Sequence, residues 1–347
     1  MKRAVAVAAL AALFAAGCMT SGDPSRHERV KVILDSDMIS DFDDMGALAV
    51  LHALADAGEC EILATVSCTR DNGSVAAIEI CNNYYGRPDL PVGCSKSDGA
   101  VKGAPLGHQK FLDLQRMYPG AFRYANSDDA PDAVQVYREA LSMQPDGSVV
   151  VCSLGFLTNM RALLESGPDR FSPLSGRELV KAKVKKWVAM ACCYPRGHEY
   201  NSDGDAEASM VALAEWPTPI VFTDFQYGRH LYAGRAIAES DFASNPVKDI
   251  FKAGLAPRES ITRKSWDQLA GHPSWDESAV LIAVRGEDSY FGTERGTYEI
   301  LDKTGKDVWR YDLDSPNCRV FEKTPRVEVG RIIDELMLRP PKFGAMK

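Results

Sequence analysis

Apolar residues recur along this chain in two alternating patterns: short β-branched runs, and longer stretches in which apolar side chains return every three or four residues. The run at residues 30–34 stops at an acidic loop, and residues 45–57 that follow have the helical spacing. The same alternation continues as far as residue 223. Strands that alternate with helices at this interval indicate a parallel sheet with helices on both of its faces.

The pattern predicts the following elements. Strands are expected at residues 30–34, 61–66, 90–92, 148–152, 186–191 and 220–223. Helices are expected at residues 45–57, 74–85, 133–143, 157–164, 206–215, 246–253, 277–284 and 328–338. Residues 290–311 have an alternating pattern with Gly and charged residues at the turns, which indicates a β-hairpin. Residues 95–129 are expected to be irregular.

No internal repeat and no low-complexity linker follows residue 28, so residues 29–347 are predicted to form one domain. The predicted fold class is α/β. It consists of a single open, mostly parallel, Rossmann-like sheet, with helices on both faces and a small C-terminal β-hairpin added to it.

The N-terminus has the pattern of an export signal. Met1-Lys2-Arg3 is a short basic region, and the apolar run at residues 4–16 is too short to span a bilayer but suits a signal-peptide core. The run ends in a segment that resembles a bacterial lipobox, in which the Cys18 thiol would carry the lipid. We expect residues 1–17 to be a signal peptide and residues 18–28 a tether. Cleavage by ordinary signal peptidase and a retained helix are the alternatives.

This interpretation predicts that the protein is an exported bacterial lipoprotein, located on the periplasmic or cell-surface side of a membrane. Its contact with the membrane would be the lipid anchor alone, because no other apolar run in the sequence is long enough to span a bilayer. Eight cysteines remain besides Cys18, without a CxxC motif or zinc-like spacing, and we expect no more than one or two disulfides among them.

Composition narrows the class of function. The hydrophobic fraction of 45% and the charged fraction of 25% are those of a globular protein. The net charge of -8 argues against nucleic acid as a partner, because phosphate binding requires a basic surface. An acidic enzyme that holds a divalent cation fits the charge better.

The strongest chemical feature is an acidic loop after the first predicted strand. Asp35, Asp37, Asp41, Asp43 and Asp44 place five carboxylates within ten residues, directly before a helix. Ligands of open α/β sheets bind at this end of the strands. A hard cation with oxygen ligands would remove the mutual repulsion of the carboxylates. The alternative is that one or two of them cap the helix and the others are solvated.

The acidic loop also bears comparison with two other kinds of site. An EF-hand requires Gly at the sixth position and Glu at the twelfth, where Ser40 and Gly46 stand, so that interpretation fails. Asp35-x-Asp37 after an apolar strand also resembles the nucleophile motif of haloacid dehalogenase-type phosphatases. That motif has a small β-branched residue where Ile39 stands, and it leaves Asp43-Asp44 unexplained.

As a whole, the loop more closely resembles the calcium loop of the inosine–uridine-preferring nucleoside hydrolases. Their signature is an apolar strand, Asp-x-Asp, a short turn, Asp-Asp and an amphipathic helix. Here Met38-Ile39 replaces Pro-Gly, and the segment before Asp43-Asp44 is two residues longer. A longer variant of this kind also occurs among relatives of the family.

Three later segments resemble the same family in the same order. Residues 153–159 resemble its Gly-x-Leu-Thr-Asn segment, and residues 199–208 its Glu-Phe-Asn-x-x-x-Asp-x-Glu-Ala segment. Trp275-Asp276 stands where the family has His-Asp. The resemblance spans residues 30–285 and implies the nucleoside hydrolase fold.

The resemblance also implies a cofactor, a substrate and a set of site residues. The cofactor is Ca²⁺, and the substrate is a ribonucleoside or related ribosyl compound that is hydrolysed to free ribose and base. The implied calcium ligands are Asp37, Asp44, Asp276 and the Leu154 carbonyl, with Asp37 also as general base. The implied sugar contacts are Asp43, Asn72, Glu199 and Asn201. Relatives commonly form dimers or tetramers, which makes a homo-oligomer possible.

Trp275 departs from the family at the position whose His is thought to protonate the departing base in some members. An indole donates no proton at a useful pKa, but its ring could stack on a purine. The candidate proton donors by residue type are Tyr84, Tyr200, His108, His198 and His272. This departure keeps open the alternative of a catalytically weak or inactive lipoprotein of the same fold that binds calcium and sugar. For Asn72, the turn-forming Asn-Gly pair is the alternative explanation.

Overall fold

The computed structural model describes residues 28–38, 41–100, 108–256 and 271–342. The strands within these residues are β1 (Val30–Ser36), β2 (Cys60–Ser67), β3 (Val92–Cys94), β4 (Val149–Ser153), β5 (Val184–Ala189), β6 (Arg196–Gly197), β7 (Ile220–Phe222), β8 (Tyr232–Gly234), β9 (Gly271–Pro273), β10 (Phe291–Ile300), β11 (Asp307–Tyr311) and β12 (Cys318–Glu322).

The α-helices within the same residues are α1 (Asp43–Asp56), α2 (Ser74–Tyr84), α3 (His108–Met117), α4 (Ala133–Ser142), α5 (Thr158–Glu165), α6 (Gly176–Lys183), α7 (Tyr200–Gly204), α8 (Ala206–Glu215), α9 (Phe225–Gly228), α10 (Arg235–Ala238), α11 (Pro246–Leu255), α12 (Trp275–Arg285) and α13 (Arg326–Met337).

Ten strands form one open sheet in the order β3-β2-β1-β4-β5-β7-β12-β10-β11-β6. Neighbouring strands run parallel from β3 to β12. The pairings from β12 to β6 are antiparallel. Strands β8 and β9 form a separate antiparallel pair. The predicted mostly parallel sheet is confirmed.

The central strand β1 shows why both faces of the sheet are covered. Successive side chains of a strand point to opposite faces. Val32 and Leu34 pack in the hydrophobic cluster that contains α1, α12 and α13. Ile33 packs in the second cluster, with residues of α4, α5 and α8. A strand that is buried on both faces therefore appears as a continuous apolar run in the sequence.

The C-terminal β-hairpin is present as β10 and β11, and it continues the main sheet. Strand β12, which the sequence pattern did not predict, inserts between β7 and β10. It pairs parallel to β7 and antiparallel to β10. Its short sequence, Cys318–Glu322, has exposed positions at its end and lacks a strong apolar run.

The short strands β6, β8 and β9 and five helices were also missed: the single turns α7, α9 and α10, and the longer α3 and α6. Helix α3 lies within the stretch expected to be irregular, where Phe111 and Leu114 are its buried side chains. Helix α6 starts at a capping box, in which Ser175 and Glu178 bond each other's backbone N–H groups. Both helices are short, and each has few apolar side chains to reveal the helical period.

The predicted signal peptide, Cys18 and most of the tether lie outside the described residues. None of the helices within the described residues is long and apolar enough to cross a membrane. The eight cysteines of the described residues are all free thiols. Seven of them are buried and Cys318 is half-buried.

Candidate functional site

A cavity of about 320 Å³ lies at the carboxyl end of the central strands, at the edge where the sequence predicts a site. Its lining contains eight of the nine residues predicted to bind metal or substrate; only Asn72 is not among them. The lining residues are Asp37, Asp41, Asp43, Asp44, Leu154, Met190, Glu199, Tyr200, Asn201, Phe225, Trp275 and Asp276.

A larger cleft of about 560 Å³ lies elsewhere, between β2 and α4, and contains none of the predicted residues. It has charged groups such as Arg87 and Glu139 along its walls, without a convergent group of buried carboxylates. The smaller cavity is therefore the candidate site, because it contains the group of buried carboxylates and the larger cleft does not.

Three carboxylates converge where two helices begin. Asp43 and Asp44 lie in the first turn of α1, and Asp276 lies in the first turn of α12. Ligand oxygens of the three residues all lie within 4.8 Å of one another. Their exposed fractions are only 2%, 2% and 5%. Helix N-termini favour negative charge, but three buried carboxylates this close still repel each other.

Electrostatics at the cluster fit a cation. Burial raises the pKa of Asp43, and the nearby Glu277 and Asp41 carboxylates raise it further. Burial and the charges of Asp43 and Asp44 likewise raise the pKa of Asp276 well above its usual range. Oxygen-only donors suit a hard cation such as Ca²⁺ or Mg²⁺. The residues present are therefore a suitable set for such an ion.

The turn between β1 and α1 fixes Asp44. Its Oδ1 accepts a 2.6 Å hydrogen bond from the Ser36 hydroxyl and a 3.4 Å bond from the Met38 N–H. Met38 has a φ of 46°, which is uncommon for a residue other than glycine. Backbone in this region costs energy and is often found at functional sites. This strained residue stands where the resembling family has Pro.

Asp35 has a structural role. It lies outside the cavity lining, and its Oδ2 accepts hydrogen bonds from the Tyr137 hydroxyl at 2.9 Å and from Asn159 Nδ2 at 3.0 Å. Burial raises the pKa of Asp35 to about 7. Its backbone carbonyl accepts from the Leu154 N–H at 2.7 Å, which joins β1 to the turn after β4. A phosphatase nucleophile would need this carboxylate to face the cavity.

Asp37 packs directly against a glycine of the second family-like segment. A Cβ added to Gly155 would lie 2.6 Å from Asp37 Cβ and 2.8 Å from the Asp37 nitrogen. The Asp37 carbonyl accepts a 2.7 Å hydrogen bond from the Thr69 hydroxyl. Glycine at position 155 is therefore required for the turns after β1 and β4 to approach this closely.

Glu199 caps helix α7 from inside the protein. Its Oε1 accepts from the Asn201 N–H at 2.9 Å, and its Oε2 accepts from the backbone N–H groups of Ser202 and Cys192 at 3.0 and 3.1 Å. Burial raises the pKa of Glu199 to about 7, although these hydrogen bonds lower it. Most of its acceptor capacity is used within the protein, which leaves one lone pair of Oε1 for a ligand.

Asn201 orients the Leu154 carbonyl. Its Nδ2 donates to the carbonyl oxygens of Leu154 and Met190, both at 3.0 Å. An amide nitrogen has two protons, so Oδ1 is the atom of this side chain that can receive a ligand hydroxyl. The two segments that carry Leu154 and Asn201 are thus joined at the cavity.

Aromatic rings form the other wall of the cavity. The Trp275 ring stacks on Phe225 with centroids 5.5 Å apart and an interplanar angle of 17°. Trp275 Nε1 donates to the Phe225 carbonyl at 2.9 Å, so the indole offers a ring rather than a donor. Tyr200 is the third ring of the lining, and 46% of it is exposed.

Helix α9, which carries Phe225, is held by a buried carboxylate. Asp224 Oδ1 accepts from the N–H groups of Gln226 and Tyr227. Its Oδ2 accepts from Arg319 on β12 at 3.1 Å. The unpredicted strand β12 therefore stabilises the helix that carries the aromatic wall. Phe225 itself was missed, although its place just after a predicted strand could have indicated it.

The remaining candidates lie apart from the cavity lining. Asn72 is exposed in the turn before α2, where Gly73 has a φ of 102°. Tyr84 packs against the core, and His198 pairs with Asp203 at the surface with 3.1 Å between Nδ1 and Oδ2. The side chain of His108 lies outside the described residues. His272 is close by: its Nε2 is 3.8 Å from Asp43 Oδ1.

Solved structures with the same fold include nucleoside hydrolases and a type III effector protein. A plant nucleoside hydrolase has 19% identity and a TM-score of 0.65, over 90% of this chain and 100% of that chain. The inosine-uridine preferring nucleoside hydrolase from Bacillus anthracis has 15% identity and a TM-score of 0.64, over 89% and 99%. The type III effector protein XopQ, complexed with adenosine diphosphate ribose, has 16% identity and a TM-score of 0.65, over 89% and 93%.

A comparison with curated proteins finds no match. The family model described as inosine-uridine preferring nucleoside hydrolase matches residues 32–334, which include the acidic loop, the two segments joined at the cavity and α12. That match covers most of the chain, and the fold agrees with it. The chain belongs to the inosine-uridine preferring nucleoside hydrolase family, whose members are hydrolases of N-glycosidic bonds.

Proposed function

We propose that this protein is a calcium-dependent hydrolase of ribonucleosides or closely related ribosyl compounds, giving free ribose and base. The observation that carries the proposal is one cavity with two different walls. One wall holds the buried carboxylates Asp43, Asp44 and Asp276, and the other holds the stacked rings of Phe225 and Trp275. A nucleoside has the matching parts, since its sugar hydroxyls suit a cation and its base suits an aromatic surface.

In this proposal two members of the convergent cluster, Asp44 and Asp276, hold the ion, and Asp43 is left for the sugar. Asp37 and the Leu154 carbonyl, which also line the cavity, complete the ligand set. When bound, Ca²⁺ anchors the sugar hydroxyls and polarises the oxygens around it. Asn201 holds the Leu154 carbonyl in place through its Nδ2. The roles of Asp43, Glu199 and Asn201 are to bond the ribose hydroxyls, for which Asn201 uses Oδ1 as an acceptor.

Asp37 is the proposed general base. It accepts a proton from the attacking water, whose oxygen forms the new bond to C1′ of the sugar. The electron pair of the broken C1′–N bond leaves with the base, which takes up a proton from solvent. The sugar passes through an oxocarbenium-like state, as in other glycosidic bond hydrolysis.

Trp275 and Phe225 would bind the base by stacking, which favours a purine with its larger ring. The indole N–H is bonded to the Phe225 carbonyl, so Trp275 holds the base without protonating it. This use of Trp275 is also what favours the second candidate, a catalytically weak lipoprotein that binds calcium and sugar. The lipid anchor at Cys18, the periplasmic or cell-surface location and the homo-oligomer stay predictions.

The test is a panel of ribonucleosides assayed for release of reducing sugar, with and without a chelator. We expect ribose release that the chelator abolishes and that Asp37→Asn reduces by at least about a hundredfold, the usual loss on removing a general base. Asp146→Asn, at an exposed site beside Lys183, is the matched control and should keep full activity. Ribose binding without release from any nucleoside would instead identify a binding protein.

A further inference from the structure

A second group of potential ligands lies beside the first. Asp41, Asp43 and His272 bring two carboxylates and an imidazole together, with ligand atoms within 4.8 Å of one another. Unlike the cluster of Asp43, Asp44 and Asp276, this group includes a nitrogen ligand. Asp43 belongs to both groups.

The distances in this group suit ligands of one ion. His272 Nε2 lies 3.8 Å from Asp43 Oδ1 and 3.9 Å from Asp41 Oδ1. These separations are too long for direct hydrogen bonds. Two ligand atoms that are each about 2.1 Å from a four-coordinate ion lie roughly 3.4 Å apart, so a small inward movement would bring this group to that spacing.

The imidazole is held firmly in position. His272 is the middle residue of β9 and pairs with Ala233 of β8. Its ring packs on Phe42 with centroids 4.1 Å apart, and only 8% of its side chain is exposed. Asp41 is half exposed, so an ion could enter from its side of the group.

We propose that Asp41, Asp43 and His272 form a second cation site, which takes a zinc-like divalent transition metal. One imidazole and two carboxylates are typical ligands of such ions, whereas a set of oxygen ligands alone suits calcium. Three protein ligands leave a coordination position open.

The inference goes beyond the proposed function, because a second ion is not needed for the calcium-dependent reaction described above. It shares one residue with that site, so its test measures bound metal rather than activity. Failure of the nucleoside assay would leave this result unaffected, and failure of zinc binding would leave the calcium site unaffected.

Equilibrium dialysis of the calcium-saturated protein against Zn²⁺, followed by metal analysis, tests the proposal. We expect the wild-type protein to bind one equivalent of zinc. His272→Asn and Asp41→Asn should each lower the affinity for zinc by about tenfold or more, because even a change to a residue behind a metal ligand has an effect of that size. His198→Asn, at the exposed pair with Asp203, should leave that equivalent unchanged. Asp276→Asn should lower calcium binding and keep the zinc.

Asp41→Asn is the more decisive variant, because an exposed loop residue can be replaced without disturbing the core. Its fold can be checked by circular dichroism. The proposal is overturned if wild-type protein binds no zinc, or if folded Asp41→Asn and His272→Asn keep the zinc affinity of the wild type. Either result would identify His272 as an ion-pair partner of the two carboxylates.

Discussion

Asn201 Nδ2 donates a hydrogen bond to the Leu154 carbonyl oxygen over 3.0 Å, which joins two segments that are 47 residues apart in the sequence. The same nitrogen also bonds the Met190 carbonyl at the end of β5. Through these two bonds Asn201 holds backbone from the ends of β4 and β5 at the edge of the cavity. The proposed function makes the Leu154 carbonyl a calcium ligand, and residues behind a metal ligand usually fix its orientation in this way.

Asn201→Asp should weaken calcium binding by about tenfold to a hundredfold, because it removes the donor that orients the Leu154 carbonyl. The substitution also adds a negative charge, so a purely electrostatic site would bind calcium more tightly. Isothermal titration with Ca²⁺ separates the two outcomes. Affinity equal to or above that of the wild type would show that Leu154 is positioned without Asn201.

Gly155→Ala should displace Asp37, since the new Cβ would lie 2.6 Å from Asp37 Cβ and 2.8 Å from its backbone nitrogen. We expect a loss of about 1–3 kcal/mol in the free energy of unfolding, typical of overpacking, together with a fall in kcat. Gly167→Ala is the control, because nothing lies within 4 Å of its added Cβ. Thermal melting and the nucleoside assay measure the two effects. Unchanged activity in Gly155→Ala would contradict this role of the glycine.

Calcium affinity should increase as the pH rises above the range in which carboxyl groups ordinarily ionise. Burial and mutual repulsion raise the pKa of Asp43, Asp44 and Asp276, so the metal-free protein retains protons that the ion must displace. The unfolded chain releases these protons at lower pH, so the metal-free protein loses stability as pH rises. The increase in Tm on adding Ca²⁺ should therefore grow with pH. A Tm shift independent of pH would show that the carboxylates are ionised before calcium binds.

Trp275→Leu should lower kcat/KM for purine nucleosides by about tenfold to a hundredfold, from the loss of stacking worth about 1–3 kcal/mol. Trp275→Phe keeps a ring but loses the N–H bond to the Phe225 carbonyl, so it should retain most of the activity. Phe171→Leu, in which the aromatic residue lies outside the cavity lining, is the control. Equal losses in the Leu and Phe variants would show that the N–H bond, rather than the ring, is what matters.

The sequence by itself determined the class of fold and the edge of the sheet at which the candidate site lies. Buried parallel strands are continuous apolar runs, and in surface helices apolar residues recur every three or four positions. Both patterns can therefore be recognised in the sequence. The acidic loop follows β1 directly, and the carboxyl ends of parallel strands are where ligands bind. Local patterns of this kind were sufficient to predict the loop, the strand-to-helix alternation and the C-terminal hairpin.

Only the tertiary structure decided which of the acidic residues meet. Asp276 reaches Asp43 and Asp44 because α12 packs beside α1, a contact between segments more than 200 residues apart. Asp35, which the structure places in β1 rather than in the loop, points into a buried network with Tyr137 and Asn159. The direction of a side chain at the end of a strand depends on the turn that follows, and here that turn contains Met38 at a positive φ.

The aromatic wall and its support also depend on packing between distant segments. Phe225 and Trp275 come together from α9 and α12, and Arg319 of β12 holds the carboxylate that caps α9. Strand β12 is too short and too exposed to show a strand period, and it is stabilised by its neighbours β7 and β10. The local sequence shows the hydrophobic period of a helix or strand. The segments against which that element packs depend on burial and hydrogen bonding between residues far apart in the chain.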